Sequence, residues 1–295
     1  MKQAYNTGFR AVLNNVVTNL HGKKPSSEAN RHARRAGQRQ ASTSQSVFIL
    51  TVIFLFMPLA VLVLYSFNAS KGMNFTGFSF IWYEQLFFHS RSLWYAFGNS
   101  AIIALSSAAA ATVFGTIGAI GVQWYRFKSR KFTQTLSFLP MVLPEIIIGV
   151  SLQIFFAAIG LKLGILTIFI AHVTFNLPFV FLMVMARLDE FDFSIIEAAR
   201  DLGACEKQIL FKVTIPICMP GIVSGFLTAI TISLEDFVIT FFVAGPGSST
   251  LPVFISSAIR YGISPVINAL SVVMILGTVI LTYLLRNFLK YIAAK

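Results

Sequence analysis

The sequence is short of charged, acidic and cysteine residues: among its 295 residues, 12% are charged, 11 are Asp or Glu, and two are Cys. Cys205 and Cys218 are too few for a disulfide framework and lack the spacing of a metal site. The sequence contains no Walker-type Gly-rich Lys motif, no H-E-x-x-H and no G-x-S-x-G. We therefore expect no catalytic residue, no metal site and no cofactor in this chain.

Apolar residues are abundant instead: they make up 56% of the chain, and the mean hydropathy is +0.76. They form runs that stay uncharged over roughly 20 residues, the length at which a helix crosses a bilayer. Continuous runs indicate helices, which satisfy every backbone polar group within lipid. The sequence predicts an all-α polytopic membrane protein with six transmembrane helices, near residues 47–67, 96–122, 135–159, 163–186, 219–243 and 266–289.

Positive charge is distributed unevenly along the chain, whose net charge is +12. With the N-terminus inside, 19 of the 23 Lys and Arg residues fall in cytoplasmic segments and four in external loops. Cytoplasmic loops of membrane proteins carry such an excess, so both termini are predicted to be cytoplasmic. Nucleic-acid binding, which a basic chain also suggests, is the weaker interpretation.

Two regions differ in composition. Residues 1–45 are polar and basic, with Glu28 as the only acid, and bury too little to fold, so they are predicted to be a disordered cytoplasmic extension. This extension could bind anionic lipid headgroups, and its composition also resembles an organellar transit peptide. Residues 46–295 form the predicted six-helix transmembrane domain, which contains a cytoplasmic loop at 189–216.

The loop 189–216 is a charged segment between apolar runs. It holds six of the 11 acidic residues, Asp189, Glu190, Asp192, Glu197, Asp201 and Glu206. Ser194 and Glu197 have the S-x-x-E spacing of a capping box. This spacing predicts a helix over 195–202 that ends at Gly203, followed by a second short helix over 206–213 that 214–216 terminates.

The first predicted loop helix is amphipathic. Its apolar stripe consists of Ile195, Ile196, Ala199 and Leu202. A helix of this kind can rest on a membrane surface. However, surface helices favour Lys and Arg, whereas this one carries Glu197 and Asp201, so a protein groove is the preferred partner.

Three carboxylates fall inside predicted spans: Glu145, Glu235 and Asp236. A charge near the bilayer centre costs about 2.5–3.5 kcal/mol on insertion scales, and such residues mark substrate or ion pathways. No Lys or Arg lies in the middle of a span, so the balance of charge favours a cation. Glu145 follows Pro144 and could instead cap a broken helix. Adjacent residues point about 100° apart, so only one of Glu235 and Asp236 can face a narrow pathway.

Two polar residues of the fourth span, His172 and Asn176, share a helix face at i, i+4. Such residues serve as interhelical hydrogen-bond partners more often than as ligands. We therefore expect them to stabilise the helix bundle.

The loop resembles the EAA loop of permease subunits of bacterial ATP-binding-cassette importers. The pattern is Glu197-Ala198-Ala199, then Gly203 after three residues, then Val213-x-Ile215-Pro216, where the family has Ile-x-Leu-Pro. The resemblance implies a coupling helix that sits in a cleft of an ATPase subunit. It assigns ATPase coupling to Ser194, Glu197, Ala198, Ala199, Asp201 and Gly203.

Further motifs resemble the spermidine/putrescine branch of that family. They are Pro140-x-x-x-Pro144-Glu145, Leu234-Glu235-Asp236, Gly245-Pro246-Gly247, Thr250-Leu251-Pro252 and Ser264-Pro265-x-x-Asn268-Ala269-Leu270. The resemblance implies the fold of a type I importer permease and favours Asp236 as the acid that faces the pathway. It also implies a second, similar permease, two ATPase subunits that bind ATP and magnesium, and an external substrate-binding protein.

Three functions remain open at this point. The first is polyamine import across a bacterial inner membrane. The second is import of another small cation or of ferric iron by the same mechanism. The third, from a different class, is an ion-coupled carrier or a channel, but the sequence shows no internal repeat to support it.

Overall fold

The computed structural model describes residues 27–72, 74–124, 128–190, 192, 194–260 and 265–293, with side chains from Ser44 onward except at 281 and from 284. Within these residues the chain forms twelve α-helices, one π-helical turn and no β-strand. The helices are α1 (Ser27–Ser66), α2 (Ile81–His89), α3 (Arg91–Trp124), α4 (Arg130–Val142), α5 (Glu145–Ala158), α6 (Ile165–Asp189), α7 (Ser194–Asp201), α8 (Glu206–Ile209), α9 (Ile215–Glu235), α10 (Val238–Val243), α11 (Leu251–Arg260) and α12 (Pro265–Ala293). The π-helical turn, Leu210–Thr214, joins α8 to α9.

The chain divides into two compact units, residues 1–62 and residues 63–295. The first unit contains most of α1, whose segment Ser44–Ser66 is long and apolar enough to cross a membrane. The disordered extension over residues 1–45 stays a prediction: residues 27–45 belong to α1, and residues 1–26 lie outside the described residues. The helical stretch contains Ala, Arg, Gln and Glu, which have high helix propensity and extend a helix that the apolar span has already nucleated.

Three long helices, α3, α6 and α9, form the centre of the second unit. Val180 of α6 lies between two glycines: a Cβ at Gly115 of α3 would lie 2.9 Å from its side chain, and one at Gly225 of α9 would lie 3.2 Å from its Cα. Small residues let membrane helices approach closely, and van der Waals packing then replaces the missing hydrophobic driving force. The buried side chains around this contact include Ala108, Ala111, Phe181, Val184 and Ala229.

The predicted third span is not one straight helix. Helices α4 and α5 meet at an angle of 102° across Leu143 and Pro144. Leu143 is extended, with ψ 138°, because a residue that precedes proline is sterically excluded from the helical region. Residues 135–159 are apolar throughout, so their hydropathy gives no sign of the break that Pro144 imposes.

The predicted fifth span is also broken, because α9 ends at Glu235 and Asp236 is extended with ψ 119°. At the start of the predicted fifth span, the helix is longer than predicted. The second loop helix does not stop at 214–216, since α8, the π-helical turn and α9 form one continuous 30-residue element. Pro216 lies two residues after the π-helical turn, and a π-bulge is one of the irregularities by which a helix bends without ending.

Four helical elements in the described part of the chain are long and apolar enough to cross a membrane, or five if α4 and α5 form one bent span. They are Ser44–Ser66, Arg91–Trp124, Ile165–Asp189 and Glu206–Glu235. The C-terminal helix α12 contributes a shorter apolar stretch, Pro265–Ile280. The all-α membrane architecture is confirmed, and the count of six spans stays a prediction.

Candidate coupling surface and intramembrane acidic site

The helix α7, at the centre of the loop 189–216, is held at both ends by local hydrogen bonds. At its start, the carboxylate of Asp192 accepts the backbone N–H of Ser194 at 2.9 Å. This backbone bond, together with a second one from the Ser194 side chain, lowers the pKa of Asp192 below its ordinary value. The predicted capping box gave this role to Ser194, so the structure moves the cap two residues toward the N-terminus.

The end of α7 follows the prediction. Gly203 has φ +82°, a left-handed conformation that glycine adopts without steric cost. Its N–H donates to the carbonyl of Arg200 at 2.8 Å, and the N–H of Ala204 donates to that of Ala199 at 3.0 Å. These two bonds make a Schellman motif. They turn the chain from α7 into α8.

Most of the α7 surface is open in the single chain. Glu197, Ala198, Asp201 and Gly203 are exposed, Ala199 is half-buried, and Ser194 is exposed at the start. The apolar stripe splits, since Ile196 is buried whereas Leu202 is 89% exposed. Leu202 and the acids Glu197 and Asp201 are thus all exposed in the single chain.

The three intramembrane acids have different environments. Asp236 is 9% exposed, whereas Glu145 and Glu235 are both exposed in the single chain. Which of the two adjacent acids faces the pathway, for which the sequence favoured Asp236, stays a prediction. In the single chain the two side chains differ, since Glu235 is exposed and Asp236 is turned into the bundle.

Asp236 is held by the backbone and side chains that follow it. One carboxylate oxygen accepts the backbone N–H of Ile239 at 3.1 Å, and the other accepts the backbone N–H and hydroxyl of Thr240 at 2.8 and 2.7 Å. Asp236 therefore caps the start of α10. A carboxylate at this position explains why the helix breaks after Glu235: the side chain satisfies N–H groups that the break leaves free.

Helix α6 contributes the remaining contact to Asp236. His172 is 2% exposed, and its Nε2 lies 3.2 Å from the carboxylate and 2.9 Å from the Thr240 hydroxyl. Because an ionised carboxylate can only accept, Nε2–H donates to it. The other ring nitrogen lies 2.6 Å from the Ser233 hydroxyl, which is 3.3 Å from that of Ser107. We call Ser107, His172, Ser233, Asp236 and Thr240 the Asp236 network.

The expectation that His172 links helices within the bundle is confirmed by these bonds. Asn176 is buried one turn away, and its side chain has no hydrogen-bond partner among the described residues. Sequence reasoning missed Ser233 and Thr240. Their spacing from Asp236, three residues before and four after, was the available signal.

The two exposed acids lie next to two helices that pack against each other: Glu145 is the first residue of α5, and Glu235, the last residue of α9, lies three residues before α10. Gly149, one turn after Glu145, allows α10 to approach: a Cβ there would lie 2.8 Å from the ring of Phe242. Beyond α5, the carbonyl of Leu163 lies against Gly245, just after α10 ends. Each exposed acid thus lies at a helix break next to one helix of this packed pair.

Residues 111–295 match the family model described as binding-protein-dependent transport system inner membrane component. The chain is 40% identical over 238 residues to the spermidine/putrescine transport system permease protein PotC of Haemophilus influenzae, covering 79% of this chain and 92% of that protein. It is 42% identical over 241 residues to the putrescine transport system permease protein PotI of Escherichia coli, covering 79% and 85%.

Solved structures agree on the fold. A bacterial ABC transporter involved in the import of the acidic polysaccharide alginate matches with a TM-score of 0.71 and 17% identity, over 86% of this chain and 98% of that one. A methionine ABC transporter, MetNI, matches with a TM-score of 0.54 and 18% identity, over 68% and 94%. This chain is a multi-pass membrane protein and belongs to the family of inner membrane components of binding-protein-dependent transport systems.

Proposed function

We propose that this chain is the permease subunit of an ATP-driven importer of polyamines such as spermidine and putrescine. The observation that carries the proposal is the position of Glu145 and Glu235, two exposed acids at helix breaks next to the packed helices α5 and α10. The names of the relatives PotC and PotI support the substrate class.

Polyamines are extended cations with apolar methylene segments. A carboxylate attracts the ammonium groups, and aromatic faces accept both the charge and the methylene chain. Glu235 is followed closely by Phe237 and Phe241, whose rings lie 5.6 Å apart. In this proposal Glu235 and Glu145 contact the substrate, and Asp236 acts on the pathway indirectly by fixing the break that presents Glu235.

The chain itself performs no catalysis in this proposal. ATP and magnesium bind to a separate ATPase subunit, which receives α7 in a surface cleft. The contact residues are Ser194, Glu197, Ala198, Ala199, Asp201 and Gly203. The continuous path from α8 through the π-helical turn into α9 supports transmission of movement from the loop to Glu235 at the far end of α9.

The complete importer would contain this chain, a second similar permease, two ATPase subunits and an external substrate-binding protein. Both termini and α7 would face the cytoplasm of a bacterial cell, as the distribution of Lys and Arg indicates. The binding protein would deliver the polyamine to the external side. No nucleic acid takes part.

The test is transport by the reconstituted complex in proteoliposomes, with labelled spermidine and the binding protein outside and ATP and magnesium inside. The expected result is uptake that requires ATP and the binding protein and that persists when Na⁺ and proton gradients are collapsed. Unlabelled putrescine should compete, whereas ferric citrate should not.

Two other outcomes identify the alternative functions. Competition by ferric citrate without competition by putrescine would indicate an iron importer. Uptake driven by an ion gradient in vesicles that contain this chain without ATPase subunits would indicate a secondary carrier and would overturn the proposal. Genes for an ATPase, a second permease and a secreted binding protein adjoining this one would favour the importer independently.

A further inference from the structure

The guanidinium of Arg260 lies over an aromatic ring next to the break at Glu235. Arg260 is the last residue of α11, and its Cζ lies 5.9 Å from the centroid of the Phe241 ring. A cation within about 6 Å of a ring centroid is attracted by the negative charge on the face of the ring. The Phe241 ring thus already binds a cation, and the chain itself supplies that cation.

The Phe241 ring is held in place by its neighbours on α10. It lies 5.6 Å from the ring of Phe237 and 5.5 Å from the ring of Phe242, yet the side chain is 47% exposed. Phe237 lies two residues after the exposed Glu235. The pair of rings therefore connects the neighbourhood of an exposed acid with an exposed cation.

Arg260 is brought to this ring by a helix that is anchored at its other end. The backbone N–H of Leu251, the first residue of α11, donates to the hydroxyl of Ser100 at 2.8 Å. The side-chain amide of Asn99 donates to the carbonyl of Ser249 at 3.0 Å. Both partners belong to α3, and the ten residues of α11 span about 15 Å from there. The fold therefore places the guanidinium at the ring.

The guanidinium is free to leave the ring. Arg260 is exposed and has no ion-pair partner in the described part of the chain. Cation–π contacts at exposed sites are weak, so an ammonium group of a substrate can take the place of the guanidinium. A polyamine has further ammonium groups that can contact Glu235 at the same time, and a second contact within one molecule strengthens the first.

We infer that the Phe241 ring is a cation site and that Arg260 is its built-in ligand, which an ammonium group of the substrate displaces. The inference rests on the proposed function, because it takes the substrate to be a polyamine. A transport site has to bind its substrate weakly enough to release it. Arg260 lowers the affinity of the site, because the substrate binds the ring only when the guanidinium has left it.

The experiment measures equilibrium binding of labelled spermidine to the whole transporter in nanodiscs, without the binding protein and without ATP. Arg260→Gln removes the competing cation. It should tighten spermidine binding by about two- to five-fold, which is the strength of an exposed cation–π contact expressed as a ratio. A merely structural role of Arg260 predicts the opposite sign, since damage to the fold weakens binding.

A second variant tests whether the ring is the site. Phe241→Leu removes the ring and keeps an apolar side chain, so it should weaken spermidine binding. In this background Arg260→Gln should have no further effect, because there is no ring left to release. Repulsion between Arg260 and spermidine at a distance predicts the same gain in both backgrounds.

Two matched controls separate this contact from charge in general. Arg260→Lys keeps a cation at the ring and should bind spermidine about as the wild type does. Arg91→Gln removes the charge of another exposed arginine, the first residue of α3. It should leave the affinity for spermidine unchanged.

Three results would overturn the inference. The first is unchanged or weaker spermidine binding in Arg260→Gln, and the second is an equal gain in the Phe241→Leu background. The third is unchanged spermidine binding in Arg260→Gln together with a higher binding-protein concentration for half-maximal stimulation of ATP hydrolysis. That result would show that Arg260 contacts the binding protein instead.

Uptake by the same preparations separates this inference from the proposed function. ATP-dependent spermidine uptake by the wild type, together with any of these three results, would leave the proposed function intact and remove only the role of Arg260. Absence of such uptake in the wild type would overturn the proposed function and the inference with it.

Discussion

The charged side chains at the two ends of α9 differ in how much of their surface is exposed. At the end that joins the loop 189–216, the charges lie on the surface, and the Arg200–Glu206 pair has side chains 55% and 66% exposed. At the far end, the carboxylate of Asp236 is buried and accepts four hydrogen bonds. The exposed charges are available to another protein, whereas the buried one determines where the helix breaks.

Glu235 is the exception at the buried end. It is adjacent to Asp236, yet its side chain is exposed in the single chain. Two neighbouring acids thus have different environments because a break between helices turns them in different directions. Predictions that change one end of α9 at a time test this division.

The largest effect is expected at Gly203. Gly203→Val places a β-branched residue at φ +82°, where the strain is about 1–3 kcal/mol, and should redirect the exit from α7. ATP-dependent spermidine uptake should fall by about ten-fold or more, since each 1.4 kcal/mol corresponds to a factor of ten. Basal ATP hydrolysis and membrane insertion should persist.

The control for that variant is Gly160→Val, because Gly160 has φ +71° and equal space around it but lies outside the loop. It should retain most of the uptake. Similar loss in both variants would mean that backbone strain alone, and not the loop, is responsible.

The next effect concerns the Asp236 network. His172→Phe keeps an aromatic ring but removes the donor to Asp236 and leaves the Ser233 hydroxyl without its partner on α6. Loss of a buried partner costs about 1–3 kcal/mol, so the melting temperature of the purified complex should fall. His89→Phe, at an exposed position of α2, is the control. Equal melting temperatures of the two variants would show that the Asp236 network does not stabilise the complex.

A smaller effect is expected at the start of α7. Asp192→Ala removes the carboxylate that accepts the N–H of Ser194, so hydrogen exchange over 194–203 should accelerate. Asp192→Asn should preserve protection, because Asn is an equally good helix cap. Since the pKa of Asp192 is lowered in the fold, the cap is fully present at neutral pH and is lost as pH falls below the ordinary carboxyl range. Acceleration in both variants at neutral pH would contradict this role.

The smallest effect is expected for the Arg200–Glu206 pair. Exposed ion pairs contribute about 0–1 kcal/mol, so Glu206→Gln should leave the melting temperature nearly unchanged. Docking on the ATPase should also change little unless Arg200 contacts that subunit. A marked loss of stability would show that this end of α9 depends on charge as the far end does.

Sequence reasoning succeeded where one residue type dictates the local geometry. Gly203 could be predicted because few other residues adopt a left-handed turn after a helix. The membrane class followed from uncharged length alone. The acids Glu145, Glu235 and Asp236 stand out in the sequence because charge inside a span is costly, and their contact with a substrate stays a prediction.

Sequence reasoning failed where a helix is interrupted inside an apolar stretch, because hydropathy does not change at such a break. The bend at Leu143 and the end of α9 at Glu235 both lie in apolar sequence, so the average over a span shows neither. Which of Glu235 and Asp236 turns inward depends on donors from α6 and α10 that meet only in the folded chain. At Pro216 the error was the opposite one, since the sequence predicted an end to the helix, whereas the helix continues through Pro216 just after a π-helical turn.

The most direct test of the account compares Glu235→Gln with Asp236→Asn in the reconstituted complex, with the spermidine concentration for half-maximal uptake and the melting temperature measured for each. We predict that Glu235→Gln weakens uptake with unchanged melting. We also predict that Asp236→Asn lowers the melting temperature, because its NH2 group replaces one of the two accepting oxygens and so faces the N–H of either Ile239 or Thr240. Unchanged uptake in Glu235→Gln, together with weakened uptake and unchanged melting in Asp236→Asn, would contradict the assignment.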